Sequence, residues 1–123
     1  MTQLPDYPRL RLRLTFGPDD MMGPGKAELL ERIARTGSIA AAGREMGMSY
    51  KRAWQLVETM NTMFREPVVH SSRGGSKGGG ASVTETGQAV LEAYRALEAA
   101  AGAAGREPLQ RLLEMHVDMS DGK

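Results

Sequence analysis

Five polar side chains recur on one side of a single predicted helix that begins after Ser49. At 100° per residue they lie opposite the apolar stripe of that helix. They are Lys51, Arg52, Gln55, Thr59 and Thr62. Cations, amides and hydroxyls are the groups that contact phosphates and base edges in the major groove of a duplex. A solvated helix surface also carries lysine and glutamine, but here both cations cluster in the first turn, which favours a surface for nucleic acid.

Two short helices joined by a tight break must position this surface. Ser38 is expected to cap a helix over 39–46, Gly47 to end it, and Ser49 to cap the next helix, which runs to Phe64. Apolar residues repeat at i, i+3, i+4 and i+7 in both helices. Since the break is so short, the two helices must cross at a steep angle, which predicts a helix-turn-helix.

Three residues of the third helix, Tyr50, Trp54 and Asn61, fall between its apolar and its polar side. Burial statistics favour Trp54 as a packing residue under the next element. We interpret Tyr50 in the same way, although its hydroxyl could still reach a phosphate.

Residues 67–83 contain two short extended arms around a glycine-rich tip, a pattern typical of a β-hairpin. A hairpin that directly follows the second helix of a helix-turn-helix is called a wing and can lie against DNA beside that helix. Arg73 and Lys77 near its tip are therefore expected to contact backbone phosphate. The glycines leave backbone N–H groups for anions. A nucleotide-binding loop is the alternative, but the run G-x-x-x-x-G-K-[ST] is missing from the sequence. A flexible hairpin without a ligand is a further alternative.

The N-terminal part supplies a strand, a loop and a helix. Strict alternation over 9–16 predicts a strand, followed by a loop over 17–25 and a helix over 26–35. The apolar side of the strand consists of Leu10, Leu12, Leu14 and Phe16, and the solvated side of Arg9, Arg11 and Arg13. These arginines could reach phosphate, but we favour the interpretation that they solvate this face and protect a sheet edge.

The helix over 26–35 is predicted to be amphipathic. Its core side consists of Leu29, Leu30 and Ile33. On its outer side we predict the ion pairs Glu28–Arg32 and Glu31–Arg35, because residues four positions apart are neighbours on a helix.

A long helix over 85–101, capped by Thr84, is predicted after the hairpin. Alanines cover the sides away from its apolar stripe, at positions 93, 96, 99, 100, 103 and 104. A helix that is apolar on more than one side tends to bury a second side against another surface. In so small a chain, a second copy of the same chain is the simplest source of that surface, so we predict a homodimer. Pro108 opens a last amphipathic segment, and residues 118–123 are expected to fray.

The composition is that of one compact domain. The chain has 123 residues and 13.3 kDa, with 41% hydrophobic residues, 25% charged residues and no cysteine, which excludes disulfides and thiol nucleophiles. The net charge is +1, but residues 49–77 carry +3 and residues 84–123 carry −3, which favours one orientation on a polyanion. No apolar stretch approaches a membrane span. We expect a cytoplasmic, nucleoid-associated protein without a membrane partner.

Residues that could support catalysis or metal binding are sparse. His70 and His116 lie far apart and lack the spacing of metal ligands. No serine stands in a recognisable nucleophile turn with an acid and a base. Gap-filling in the core explains the methionines. We therefore predict that the chain is not an enzyme and that it has no catalytic, cofactor or metal site.

Part of the sequence resembles a known family. The run from Arg35 to Trp54, R-T-G-S-I-A-A-A-G-R-E-M-G-M-S-Y-K-R-A-W, is followed by E-T-M-N and by the wing R-G-G-S-K-G-G-G-A. These runs resemble the N-terminal DNA-binding domain of ModE-type molybdate-responsive transcriptional regulators over about residues 9–100. The S-I-A-A-A part alone is also similar to LysR-type regulators.

The resemblance implies a mainly α protein with a small β-sheet. It is a winged helix-turn-helix with a long C-terminal dimerisation helix, which binds a palindromic operator as a homodimer and represses. Residues 1–104 are expected to form this domain, and residues 105–123 a helical extension with a frayed tail. The candidate contacts to double-stranded DNA are Ser38, Ser49, Tyr50, Lys51, Arg52, Gln55, Thr59, Arg73, Ser76 and Lys77.

The resemblance bears on cofactors as well. Full-length members sense molybdate through C-terminal domains, and we expect this chain to be a stand-alone form without them. No cofactor is therefore predicted. Binding of molybdate or tungstate is suggested by the family resemblance alone.

Two other functions compete with specific DNA binding. A winged-helix protein-interaction module has the same core and turns the same surface to protein, but it has little use for Arg73 and Lys77 beside a glycine tip. An oxyanion-binding protein would use the glycine-rich loop from Gly74 to Gly80. Titrations with DNA and with oxyanions separate these alternatives.

Overall fold

Five helices and two small antiparallel sheets form the part of the chain that the computed structural model describes, residues 8–72 and 80–117. The elements are β1 (Leu14–Gly17), β2 (Asp20–Met22), α1 (Pro24–Thr36), α2 (Ile39–Glu45), α3 (Tyr50–Met63), β3 (Val69–Ser72), β4 (Gly80–Val83), α4 (Glu85–Ala104) and α5 (Arg106–Met115). β1 pairs with β2, and β3 pairs with β4. Three helices followed by a hairpin and a long helix make a winged helix-turn-helix, so the predicted mainly α fold is confirmed.

The N-terminal strand is shorter than the alternation predicts. β1 has four residues, and residues 9–13 lie outside any strand. The predicted loop over 17–25 instead contains β2, which has three residues and ends just before Pro24 opens α1. Pairing with so short a partner cannot extend back to residues 9–13. The predicted apolar side is consequently exposed at Leu10, Leu14 and Phe16, whereas Leu12 packs against the core.

The core lies between α1, α2, α3 and the inner side of α4. Leu29, Leu30 and Ile33 of α1 are buried, as predicted. The other buried hydrophobic residues are Met22, Ala27, Ile39, Ala42, Ala53, Val57, Met60, Val68, Val69, Leu91 and Tyr94. No charged side chain is buried in the two described ranges. Packing shape rather than ion pairing therefore defines this core.

Ion pairs fasten α1 to the neighbouring helices. The predicted pair Glu28–Arg32 forms within α1. The predicted pair between Glu31 and Arg35 is wrong. Glu31 accepts two hydrogen bonds from Arg95 of α4, at 2.9 and 2.8 Å, and Arg35 pairs with a glutamate of α2. Partners across the helix interfaces therefore replace the partner within α1.

α4 packs against the N-terminal segment and against the segment before β3. The Tyr94 hydroxyl donates a hydrogen bond to the backbone oxygen of Leu12 at 2.6 Å. Gly87 lies so close to the segment before β3 that a Cβ there would be 2.2 Å from the Val68 oxygen. α4 continues three residues beyond its predicted end, most of its residues from Leu97 onward are exposed, and α5 buries none.

Of the described helices, none is long and apolar enough to cross a membrane.

Candidate nucleic-acid interface

A tight turn sets α3 against α2. Gly47 in this turn has a φ of +74°, a conformation that glycine adopts without strain. The backbone N–H of Met48 donates to the Gly43 oxygen at 2.9 Å. Gly43 also faces α3, and a Cβ there would come within 2.9 Å of the Ala53 Cβ. The two helices therefore approach each other closely at small residues.

Two serines begin the helices of this motif, as predicted. The Ser38 Oγ accepts a hydrogen bond from the N–H of Ala41, and the Ser49 Oγ accepts one from the N–H of Arg52, both at 3.0 Å. Each hydroxyl oxygen thus satisfies a backbone amide at a helix start. The hydroxyl hydrogens can still donate to a phosphate. Both helices end one residue earlier than predicted.

The outer side of α3 presents the predicted polar residues. The residues that line one shallow depression there are Lys51, Arg52, Trp54, Gln55, Glu58 and Thr59. The hydroxyls of Thr59 and Thr62 donate to backbone oxygens of the same helix, at 3.0 and 2.9 Å, so they offer less to a ligand. Glu58 is not among the predicted contacts, but its carboxylate can accept a hydrogen bond from a cytosine amino group.

The two aromatic residues of α3 occupy different environments. Trp54 is half-buried and packs against the core, as predicted. The expectation that Tyr50 also packs is wrong, because Tyr50 is 54% exposed. It is the first residue of α3 and precedes Ala53, the first buried residue of that helix. The Tyr50 ring and hydroxyl therefore lie on the surface beside Lys51.

Asn61 fixes the hairpin against α3. Its Oδ1 accepts hydrogen bonds from the backbone N–H groups of Val68 at 2.8 Å and Val69 at 3.1 Å, and its Nδ2 donates to the Val69 oxygen at 3.3 Å. β3 and β4 then pair antiparallel over four residues each. The predicted wing is this hairpin. Three of the predicted contacts lie outside the described residues, namely Arg73, Ser76 and Lys77.

A cleft of about 510 Å³ lies beside the helix-turn-helix, and four cations line it. They are Arg11, Arg13, Lys26 and Arg52, and we call this site the basic cleft. Arg52 also lines the depression on α3, so the two surfaces are continuous. Burial lowers the pKa of the Lys26 ammonium, and the guanidinium groups of Arg52 and Arg13 lower it further. The sequence leaves open a phosphate contact for Arg11 and Arg13 but does not predict the cleft, because its cations come from three separate segments.

A family assignment follows from the segment that contains these elements. Residues 25–88 match the family described as bacterial regulatory helix-turn-helix protein, lysR family. The match begins in α1 and includes α2, α3 and both hairpin strands. The chain belongs to the lysR family. This LysR-family chain therefore carries a helix-turn-helix DNA-binding domain of a regulatory protein.

Relatives of this LysR-family domain have names that refer to molybdenum. Molybdenum-pterin-binding protein MopA of Rhodobacter capsulatus is 44% identical over 100 residues, which cover 81% of this chain and 37% of MopA. Molybdenum transport protein ModE of Azotobacter vinelandii is 40% identical over 88 residues, which cover 72% of this chain and 33% of that protein. The resemblance to ModE-type regulators is confirmed for this domain.

A third relative is named for DNA binding. DNA-binding transcriptional dual regulator ModE of Escherichia coli K12 is 38% identical over 71 residues, which cover 58% of this chain and 27% of that protein. The LysR-family chain thus spans about a third of the length of these relatives.

The structure gathers most of the described candidate contacts on one helix. Ser49 caps α3, and Ser38 caps α2. The remaining described candidates, all on α3, are Tyr50, Lys51, Arg52, Gln55 and Thr59. Across residues 8–72 and 80–117, no group of three or more histidine, aspartate or glutamate side chains is arranged to hold a metal ion.

Proposed function

We propose that this LysR-family chain is a site-specific transcriptional regulator, without catalytic activity, that binds a palindromic operator as a homodimer and represses. The observation that carries the proposal is the exposed side of α3, where Lys51, Arg52 and Gln55 stand together on a helix held by a tight turn. Cations suit backbone phosphates, and the Gln55 amide suits an adenine edge. The proposed further contacts are Ser38, Ser49, Tyr50, Thr59, Arg73, Ser76 and Lys77.

The proposed dimer covers the outer side of α4. Along one flank of α4, a small apolar hollow of about 180 Å³ is lined by side chains that include Phe16, Phe64 and Leu97. α5 adds exposed apolar residues, at Leu109, Leu112, Leu113 and Met115. Exposed apolar surface of this kind is typical of an interface. A two-fold dimer would present two α3 helices to half-sites one helical turn, ~34 Å, apart.

The names of the relatives support a link between this regulator and molybdenum. MopA is called a molybdenum-pterin-binding protein, and ModE of Azotobacter vinelandii a molybdenum transport protein. We propose that the chain acts in the cytoplasm, on the nucleoid, at genes that handle molybdenum. Since the chain covers about a third of these relatives, no molybdate site is assigned to it. The Escherichia coli relative is named a dual regulator. A reporter assay of the proposed repression should therefore measure activation as well.

Fluorescence anisotropy tests the proposed function. The purified chain is titrated onto a labelled duplex from the upstream region of its own gene and onto a scrambled duplex, each at two salt concentrations. A preference for the first duplex that survives the higher salt supports a site-specific regulator. Equal and salt-sensitive binding to both overturns site specificity. No binding at either salt favours the protein-interaction module instead.

Calorimetric titration with molybdate and tungstate tests the competing oxyanion-binding function. We expect no saturable heat from either anion in the absence of DNA. Stoichiometric, saturable binding would favour an oxyanion-binding protein over a DNA-binding regulator that takes no cofactor.

A further inference from the structure

The basic cleft concentrates positive charge that no carboxylate of residues 8–72 and 80–117 neutralises through a salt bridge. No carboxylate is among the described side chains that line it. Its four cations form no salt bridge with any residue in the described ranges, whereas Arg32, Arg35 and Arg95 are each paired with glutamates. Like charges held together in this way repel one another unless an anion lies between them. The cleft is therefore suited to a negatively charged ligand.

The start of α1 forms part of the cleft and favours the same kind of ligand. Its N-cap, Gly23, provides no side-chain hydrogen bond to the first backbone amides. The N–H groups of Gly25 and Lys26 in the first turn have no acceptor within the helix. A helix N-terminus also attracts anions through the helix dipole. These amides add directional donors to the side-chain cations around them.

The position of the cleft indicates the source of the anion. Arg52 lines both the basic cleft and the depression on the outer side of α3. A duplex whose major groove receives Gln55 would therefore bring one of its backbones to the Arg52 side of α3. The pKa of Lys26 is lowered by burial and by Arg52 and Arg13, so an anion in the cleft would stabilise its ammonium form.

We propose that the basic cleft binds a phosphate group of the DNA backbone, held by Arg11, Arg13, Lys26 and Arg52. The identity of the phosphate donor rests on the proposed function. The site itself rests on the cleft, on the start of α1 and on four cations that form no salt bridge within the described residues, of which Lys26 donates a hydrogen bond to the backbone oxygen of Met21 at 2.8 Å. It adds to the interface on α3 a backbone contact in which Arg11, Arg13 and Lys26, from outside the helix-turn-helix, act together with Arg52 of α3.

A single substitution can place a negative charge in the cleft without removing a side chain. Gly25 is exposed, and a Cβ there would meet no atom within 4 Å. Gly25→Glu introduces a carboxylate in the first turn of α1, where acidic residues are favourable. The thermal midpoint is expected to be unchanged or higher. Gln110→Glu on the exposed α5, which does not line the cleft, changes the net charge equally and is the matched control.

The first arm of the experiment measures DNA binding by fluorescence anisotropy over a series of salt concentrations. Gly25→Glu is expected to weaken binding about tenfold or more and to make the slope of log K against log[salt] shallower by about one. Arg13→Gln is expected to show the same change in slope, and Gln110→Glu is expected to match the wild type.

The second arm titrates the wild type and Gly25→Glu with inorganic phosphate and follows the backbone amide signals of Gly25 and Lys26 by NMR. Saturable shifts that vanish in Gly25→Glu support a phosphate site even if the wild type binds no DNA, an outcome that would overturn the proposed function alone. A change of salt slope without such shifts supports a phosphate bound as part of DNA. Wild-type slopes in both cleft variants together with no saturable shift would overturn the proposed site.

Discussion

Lys51 and Gln55 lie one turn apart on the outer side of α3, but their side chains recognise different features of a duplex. An ammonium is a compact charge that suits any phosphate, whereas an amide can donate to and accept from one base at the same time. Substitution at the two positions should therefore separate affinity from specificity.

Lys51→Ala is expected to weaken binding to the operator and to scrambled DNA by similar factors. The reason is that a phosphate contact carries no sequence information. The slope of log K against log[salt] should become shallower by about one on both duplexes. Anisotropy titrations over a salt series measure this slope, and Arg106→Ala on exposed α5 removes the same charge as a control. Loss of operator binding alone would show that Lys51 reads a base.

Gln55→Ala is expected to reduce the preference for the operator while leaving binding to scrambled DNA nearly unchanged. A bidentate contact to a base contributes about 1–3 kcal/mol of discrimination, which is roughly a 5- to 150-fold ratio. Competition anisotropy with operators mutated at single base pairs locates the base that is read. An unchanged ratio would remove Gln55 from the interface.

At the scale of elements, the helices were predictable because their signals are local. Ser38, Ser49 and Thr84 all cap helices as expected, and the apolar stripe of α3 is buried at Ala53, Val57 and Met60. The pairing of β1 with β2 was not predictable. The glycines and prolines of residues 17–25 indicate a loop, and they hide the short strand β2 with which β1 pairs. The basic cleft was missed for a related reason, since it forms only after residues 11–52 have folded together.

Gly87→Ala is expected to destabilise the fold by about 1–3 kcal/mol. The added Cβ would lie 2.2 Å from the Val68 oxygen and 2.6 Å from a Val83 methyl group, so α4 would have to move away from the hairpin. Gly102→Ala in the same helix, where a Cβ meets nothing within 4 Å, should instead gain roughly 0.5–1 kcal/mol. Urea unfolding of both variants measures the contrast. Equal stabilities would mean that α4 is not docked as described.

Glu45 makes the junction between α1 and α2 sensitive to acid. Hydrogen bonds from Arg35 and Arg32 lower the pKa of its carboxyl below the ordinary value of 4.5. The stabilisation by these pairs is therefore present above pH 4.5 and is lost as the pH falls through the lowered pKa. Glu45→Gln is expected to lower Tm by a few degrees at pH 7 and to differ less from the wild type at pH 3.

The control for this pH dependence is Glu107→Gln on α5. Glu107 approaches Arg111 no closer than 3.8 Å and is largely exposed. Its substitution should have little effect on Tm at either pH. A Glu45→Gln deficit that is as large at pH 3 as at pH 7 would contradict the role given to the ion pairs.

At the scale of the whole molecule, charge and apolar surface are separated. The cations of the cleft and of α3 adjoin one another, whereas Leu97 and α5 expose apolar side chains elsewhere. This separation allows one surface to contact DNA while another contacts a second copy. The proposed regulator depends on both contacts, because a lone half-site offers half of the base readout.

Leu97→Glu is expected to convert the proposed dimer into a monomer. Leu97 is 43% exposed and lines the apolar hollow beside Phe16 and Phe64, so a carboxylate there would face apolar surface across the interface. Sedimentation equilibrium should change from twice 13.3 kDa to 13.3 kDa. Gln88→Glu, on the opposite side of α4 by helical geometry, should stay dimeric. A wild type that sediments at 13.3 kDa at micromolar concentration would contradict the proposed dimer.

The hydrogen bond from Tyr94 to Leu12 joins residues 82 positions apart in sequence. Closing so long a loop costs chain entropy before its contacts can compensate, whereas α2, its turn and α3 contact one another over short separations. We therefore expect the helix-turn-helix to form early during folding and the docking of α4 onto residue 12 to come late. Pulsed hydrogen exchange should accordingly protect the amides of Val57 and Met60 before those around Tyr94.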